Sequence, residues 1–465
     1  MNPRPSRGSI QPADGAVFIR CRGVAGAGEA RPADALLLEL TGARRDRDRI
    51  VARRVRVLAV GSAAEVDRHP AAGGAARLDL LGHVLLPGLV NAHAHLDLTH
   101  VGPRPFDAAA GFVGWIRMVR SARLADGGAI RASVARGVDL ALAGGVVAVG
   151  DVAGAVGGPR LEAWEALAAS PLVGVSYLEF FAIGTREEPG IQATERAIAE
   201  AGERTRGGVR LGLQPHAPYT VSPAGLAWAM DTAARLALPL SIHLAESPEE
   251  HRVVAAGDGP FRRFLEDAGI WSPALDGAFG ASATPVAHLA RAWADSPRPP
   301  ALAAVHVNDA SERDLEALAG LSERLGLVVV YCPRASEYFR HVERFGPHPY
   351  RRLMAAGVPV ALGTDSAINL PPGSTDGATG RISTLDEMRL LRRRDGTAPD
   401  VLLAMATTTA ARALGLPPEE FELTAGAEPR GIVAVEVGAP VAGGGSALAA
   451  VLDAGTPPKL LVEVV

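Results

Sequence analysis

Across the middle of the chain, apolar runs of strand length alternate with longer segments whose apolar residues recur at helical spacing, the pattern of βα units around a parallel sheet. The strand-length runs are Leu86 to His95, Val146 to Val152, Leu172 to Phe181, Val209 to His216, Leu238 to Glu246, Leu302 to Asn308, Leu327 to Pro333 and Val358 to Asp365. There are eight of them, the number that closes a barrel, so the predicted fold is a (β/α)₈ TIM-type barrel. Helix starts fall between them. Ser222-Pro223 pairs a capping residue with a proline suited to the first helical position, and Ser247-Pro248-Glu249-Glu250 adds a glutamate three residues after its serine. Thr384 to Glu387 has the same spacing ahead of an apolar stripe at Met388, Leu390 and Leu391.

The two ends read differently. Ala16 to Leu86 carries short apolar runs such as Ala35 to Leu40 and Val55 to Val60 between Gly/Arg/Asp-rich turns, and Ile432 to Val437, Ala447 to Leu452 and Leu460 to Val465 repeat the pattern. Both ends are expected to build one small β lobe from short strands. The predicted division is 1–86 and 425–465 for the lobe and 87–424 for the barrel. Gly/Ala-rich stretches at Ala71 to Ala76 and Ala442 to Ala450 read as turns or linkers.

Composition narrows the partners. The 465 residues are 48% hydrophobic and 21% charged, globular values that leave room for a large core. A formal net charge of −4 supplies no basic field for nucleic acid or an anionic membrane, which leaves a small molecule as the expected partner. Cys21 and Cys332 are far apart and form no CxxC pair, against a disulfide framework or a thiolate zinc site. Met1 to Asp14 has no apolar core of signal-peptide length, and no later stretch reaches ~18 uninterrupted apolar residues. The expectation is a soluble cytoplasmic protein, with a homodimer as an open alternative to the monomer.

The candidate chemistry lies at the strand ends. His93 and His95 alternate at the end of an apolar strand, so a period of two points both imidazoles to one face. His216, His243, Glu246, His306 and Asp365 also close or follow apolar runs, and the C-terminal strand ends of a barrel share one mouth. Three neutral imidazoles (His93, His95, His243) and the Asp365 carboxylate would hold one divalent ion with a position left open, where water has its pKa lowered to roughly 7. Glu246 follows His243 by three residues and cannot share its direction on a regular strand. A turn at Ser247-Pro248 would place its carboxylate beside the metal as general base and then acid.

These residues resemble the amidohydrolase superfamily, in its mononuclear nucleoside-deaminase and chlorohydrolase-like branch. The resemblance rests on Leu86-Pro87-Gly88-Leu89-Val90-Asn91-Ala92-His93-Ala94-His95-Leu96-Asp97, Pro215-His216-Ala217-Pro218-Tyr219, His243-Leu244-Ala245-Glu246 and Leu362-Gly363-Thr364-Asp365-Ser366. It implies a barrel plus a small β-sandwich lobe from both termini, and one divalent metal, Zn²⁺ ahead of Fe²⁺, on His93, His95, His243 and Asp365. It makes Glu246 the proton shuttle, His306 the histidine that orients the attacking hydroxide, and His216 a substrate contact. Binuclear members bridge two metals with a carboxylated lysine from a middle strand. The sole lysine here, Lys459, lies in the C-terminal lobe and cannot serve.

Within that branch, Cys332-Pro333-Arg334-Ala335-Ser336-Glu337-Tyr338-Phe339 is similar to a segment of the aminodeoxyfutalosine deaminases. Phe112-Val113-Gly114-Trp115-Ile116 is similar to the mobile loop after strand 1 that covers their pocket. Trp115 and Arg334 are the substrate contacts these likenesses imply. Ala335 stands where a serine is common, Tyr331 often aligns with a histidine, and Asn369 to Gly380 lengthens the loop after strand 8. The expected activity is hydrolytic deamination of an adenosine-like nucleoside, aminodeoxyfutalosine first, then S-adenosylhomocysteine or methylthioadenosine. Hydrolysis of another amide, a cyclic amide, guanine or a carbon–halogen bond is the alternative, and a non-catalytic metal-binding barrel a second.

Overall fold

Parallel strands form at all eight apolar runs: Leu89–His95, Val146–Ala153, Val173–Phe180, Val209–Pro215, Leu240–Leu244, Leu302–His306, Leu327–Tyr331 and Val360–Leu362. The computed structural model that shows them describes residues 14–26, 33–46, 49–154, 158–280, 283–438 and 446–465. Consecutive strands pair in parallel in chain order. After Gly363 and Thr364, the short strand Asp365–Ser366 pairs with Ala94 and His95 of the first strand and closes the ring. The barrel strands are almost wholly buried, as expected where helices cover a parallel sheet.

Two glycines make close crossings that a side chain would block. Leu86 and Pro87 belong to the lobe strand Ala76–Pro87, so the first barrel strand begins later than its apolar run suggests. Gly88 makes the passage, and a Cβ there would lie 2.5 Å from a methyl carbon of Val147. At Gly363 a Cβ would meet the His93 Cβ at 2.9 Å and the Cys332 sulfur at 3.0 Å. Asn91 ties the same crossing, its amide donating to Thr364 Oγ1 at 2.7 Å while its oxygen accepts the Thr364 N–H at 3.0 Å.

The lobe is one eight-stranded mixed sheet, in the order Arg44–Asp46, Arg49–Ala52, Pro458–Val464, Gly431–Glu436, Ala76–Pro87, Gly15–Val24, Ala35–Thr41, Arg54–Gly61. Ile50 and Ala52 from one edge share a core with Val55 and Val57 from the other, so the sheet folds over on itself. Its other apolar residues, among them Val84, Val433, Val435 and Leu460, join the barrel core.

Three local readings are corrected. Ala447 to Leu452, read as a strand, lies in the helix Ala447–Asp453: Ser446 caps it, and Leu448, Val451 and Leu452 fall on one buried face at helical spacing. Val451 is the one β-branched residue in the run, and alanine and leucine suit a helix as readily as a strand. Ser383, not Thr384, caps the helix Thr384–Asp395, and Glu387 turns away to Arg334. Phe112 to Ile116 is the first part of the helix Gly111–Ala122 and not a loop. Residues 1–13, which include most of the Met1 to Asp14 reading, and 442–445 lie outside the described residues. Among the described residues, no helix is long and apolar enough to cross a membrane.

Candidate metal centre

His93 and His95 project to the same side of the first strand, with ring centroids 4.9 Å apart, and His243 reaches them from the fifth strand. One ring nitrogen from each of these three lies within 4.8 Å of the others, and Glu246, His306 and Asp365 form a second such set. Asp365 Oδ1 stands 3.7 Å from His93 Nε2 and 3.5 Å from His95 Nε2. These separations are too long for hydrogen bonds. They are close to the roughly 3.4 Å between two ligand atoms that each sit ~2.0–2.1 Å from a tetrahedral ion.

The protonation states suit ligation. Burial, then the neighbouring imidazoles, hold His95, His243 and His306 well below the usual histidine range. His243 Nδ1 lies 3.0 Å from the His216 carbonyl and 3.3 Å from Gln214 Nε2; the shorter contact is to a group that can only accept, which favours the proton on Nδ1 and leaves the Nε2 lone pair for a metal. His93 Nε2 is buried with no hydrogen-bond partner, a costly state that a metal would relieve. The donors His93, His95, His243 and Asp365 therefore fit a single divalent ion.

Backbone strain gathers here. Among the described residues, non-glycine positive φ occurs at Ala245 (48°), His306 (76°), Val307 (53°) and Asp365 (57°), all at strand ends of the mouth, and at only two other places. For Glu246 the turn after Leu244 does what the sequence required. The Glu250 carboxylate accepts the N–H groups of Ala245 (3.1 Å) and Glu246 (2.7 Å) in place of closing a capping box on Ser247, and the Asn308 amide donates to the Glu246 carbonyl at 3.2 Å. Glu246 Oε1 then lies 3.4 Å from His306 Nε2. Burial, with the Asp365, Glu250 and Glu249 carboxylates, pushes Glu246 well above the usual carboxylate range and so favours its protonated form.

The remaining expected contacts divide. His216 borders the metal-ligand set, 5.2 Å ring to ring from His243, and its Nδ1 is 2.8 Å from Thr220 Oγ1. Burial takes its pKa to about 3, so it is neutral. Trp115 lies in the helix Gly111–Ala122 and packs against Phe112 and Phe339, its Nε1 buried. Arg334 is committed elsewhere, its guanidinium bonded to the buried Glu387 and to the Ser383 carbonyl.

Sequence reasoning passed over a buried charge cluster beside the pocket. Arg123, just past the helix Gly111–Ala122, donates to Asp97 Oδ2 at 2.6 Å and to Glu179 Oε2 at 3.3 Å. Glu179 also has a carboxylate oxygen within 4.8 Å of ring nitrogens of His216 and His243. Asp151 accepts the Leu96 N–H at 2.8 Å, and burial raises its pKa to about 8. Asp151, Glu179 and Gln214 are buried polar residues near the C-terminal ends of largely apolar barrel strands, a signal that was present in the sequence.

A closed parallel barrel with imidazoles and carboxylates gathered at its C-terminal strand ends defines a hydrolase barrel of the metal-dependent class. The amidohydrolase family profile matches residues 84–429, and the chain belongs to that family. It is 32% identical over 356 residues to the aminodeoxyfutalosine deaminase of Deinococcus radiodurans, covering 72% of this chain and 74% of that one. It is 30% identical over 370 residues to the 5-methylthioadenosine/S-adenosylhomocysteine deaminase of Syntrophobacter fumaroxidans, covering 75% and 71%. Among solved structures, Helicobacter pylori aminofutalosine deaminase in complex with methylthio-coformycin shares the fold at a TM-score of 0.69 and 20% identity, over 95% of this chain and 97% of that one. A Xanthomonas campestris adenosine deaminase with bound zinc does so at 0.67 and 19%, over 98% and 94%.

Proposed function

We propose that this protein is a metal-dependent deaminase that hydrolyses the amine from an adenosine-like nucleoside, with aminodeoxyfutalosine the first candidate and S-adenosylhomocysteine or methylthioadenosine next. The observation that carries the reading is the gathering of the His93, His95 and His243 ring nitrogens within 4.8 Å of one another, with Asp365 Oδ1 3.7 Å from His93 Nε2 and 3.5 Å from His95 Nε2 and Glu246 against His306 at 3.4 Å. The two deaminase relatives give the substrate class, and the zinc of the adenosine deaminase neighbour supports Zn²⁺ as the ion.

His93, His95, His243 and Asp365 would hold a divalent ion, which when bound would acidify water and so supply a nucleophile at neutral pH. Glu246 takes the proton from the attacking water and delivers it to the ring nitrogen beside the amine-bearing carbon. His306, whose Nε2 lies 3.4 Å from Glu246 Oε1, orients the nucleophile. His216 contacts the nucleoside, and Trp115 covers the pocket from the helix Gly111–Ala122. A homodimer, the cytoplasmic location and the 1–86, 87–424, 425–465 division belong to the same reading. The test is ammonia release across 5′-substituted adenosines, guanine and cyclic amides. Turnover of an adenosine derivative is expected; no ammonia from any of them, with clear turnover of guanine or a cyclic amide, rejects the substrate.

A further inference from the structure

The backbone of His306 is held in a conformation that L-residues rarely adopt, at φ 76°, and Val307 follows at φ 53°. Strain of this kind persists only where neighbours over-determine it. On one side the Val307 N–H bonds to the Leu244 carbonyl at 2.9 Å and the Asn308 N–H to the Ala245 carbonyl at 3.0 Å. On the other side, among the described residues, the side chain bonded to the His306 carbonyl is His348, through Nε2 at 2.7 Å.

The hydrogen bonds of His348 settle which nitrogen carries the proton. The Tyr350 N–H, which can only donate, points to His348 Nδ1 at 3.0 Å, so Nδ1 is the acceptor. The His306 carbonyl can only accept, so Nε2 is the donor. Both ring nitrogens of a neutral imidazole are thus used, and burial keeps the ring neutral, its pKa taken down to about 3. The ring is fixed in its own plane as well. It stacks on Tyr331 at 3.6 Å and 15°, and the Tyr331 hydroxyl accepts from Arg394 at 3.1 Å.

We propose that His348 is a positioning residue, its Nε2–H bond to the His306 carbonyl holding His306 in the left-handed conformation that sets its imidazole against Glu246. The hydrogen bonds of His348 run to the His306 carbonyl and the Tyr350 N–H, so its route to the site is through His306. The inference rests on the proposed role of His306 in the deamination.

The experiment compares His348→Leu, which removes the donor, with His348→Gln, whose amide can donate from nearly the same place. Both are measured with their metal content, in the wild type and in a His306→Asn background. His348→Leu is expected to lower kcat about 10- to 100-fold, the loss typical of outer hydrogen-bond partners, with KM and the metal content nearly unchanged. His348→Gln should recover most of that loss. In the His306→Asn background His348→Leu should have little further effect on kcat, because the two residues act as one unit. A full additive loss in that background, or a loss confined to KM or metal content, overturns the proposal.

Should His348→Leu fail to fold, ¹⁵N-histidine spectra of the wild-type protein decide: Nε2–H with an accepting Nδ1 is required, and the opposite tautomer overturns it. That spectrum needs no substrate. If no adenosine derivative is turned over, the deaminase reading fails by itself, while the tautomer and the variants on whichever substrate reacts still judge His348.

Discussion

Asn369 donates its side-chain amide to Asp365 Oδ2 across 2.9 Å, and its own side-chain oxygen is held by Ser366 Oγ at 2.6 Å. The bond leaves Asp365 Oδ1 facing His93 and His95. Removing such an outer partner typically costs 10- to 100-fold in metal affinity. Asn369→Ala should therefore weaken zinc binding by about that factor while the metal-free fold keeps its melting temperature within a few degrees. Competition against a chelator of known affinity reads this, and an unchanged dissociation constant would contradict it.

Glu246→Gln should retain one divalent ion per chain and lose about 10²- to 10⁴-fold in kcat, since the amide cannot carry the proton. Elemental analysis alongside steady-state kinetics separates the outcomes. Parallel loss of metal and activity would make Glu246 a ligand or a structural residue.

Arg123 bridges the covering helix to two buried carboxylates, Asp97 and Glu179. Breaking one side of a buried pair leaves uncompensated charge and costs about 3–5 kcal/mol. Arg123→Met should lower the urea midpoint accordingly, and Asp97→Asn in that background should restore part of the loss. A midpoint within error of wild type would show that water already reaches the cluster.

His288, in the helix Pro285–Ala292, stacks on Phe279, and burial takes its pKa from 6.5 to about 4. The unfolded chain thus binds a proton here before the folded one does. Stability from this group is intact above pH 6.5 and is lost as the pH falls towards 4, by on the order of 3 kcal/mol at ~1.4 kcal/mol per pKa unit. His288→Leu should flatten that part of the stability profile in urea titrations at pH 6.5, 5.5 and 4.5. An unchanged slope would place the loss on other buried histidines, such as His341.

The barrel was legible because each strand is a short apolar run bounded by turns, and a parallel sheet buried on both faces leaves few polar interruptions. The donors around the expected ion were legible for a related reason: a polar residue at the end of such a run has one place to go. What the sequence concealed depends on contacts distant along the chain. Arg123 meets Glu179, and Asn369 meets an aspartate whose free oxygen matters only once the fold is known. Asp151 and Glu179 stood in view inside apolar strands, yet one residue in a strand does not say what it faces. Ala447 to Leu452 misled because a run of alanine and leucine fits a strand or a helix equally, and only the Ser446 cap distinguishes them.

The joint between Asp365–Ser366 and Ala94–His95 is also the seam of the barrel, where the last strand finds the first after the whole cylinder has been laid down. Three of the four expected ligands, His93, His95 and Asp365, lie across it. An ion held there would act as a clasp, so that loading the metal would favour the closed cylinder. Stripping the metal should then loosen the protein first along this line, at the amides of Thr364 and Asp365, and leave the fourth and fifth strands opposite the last to open.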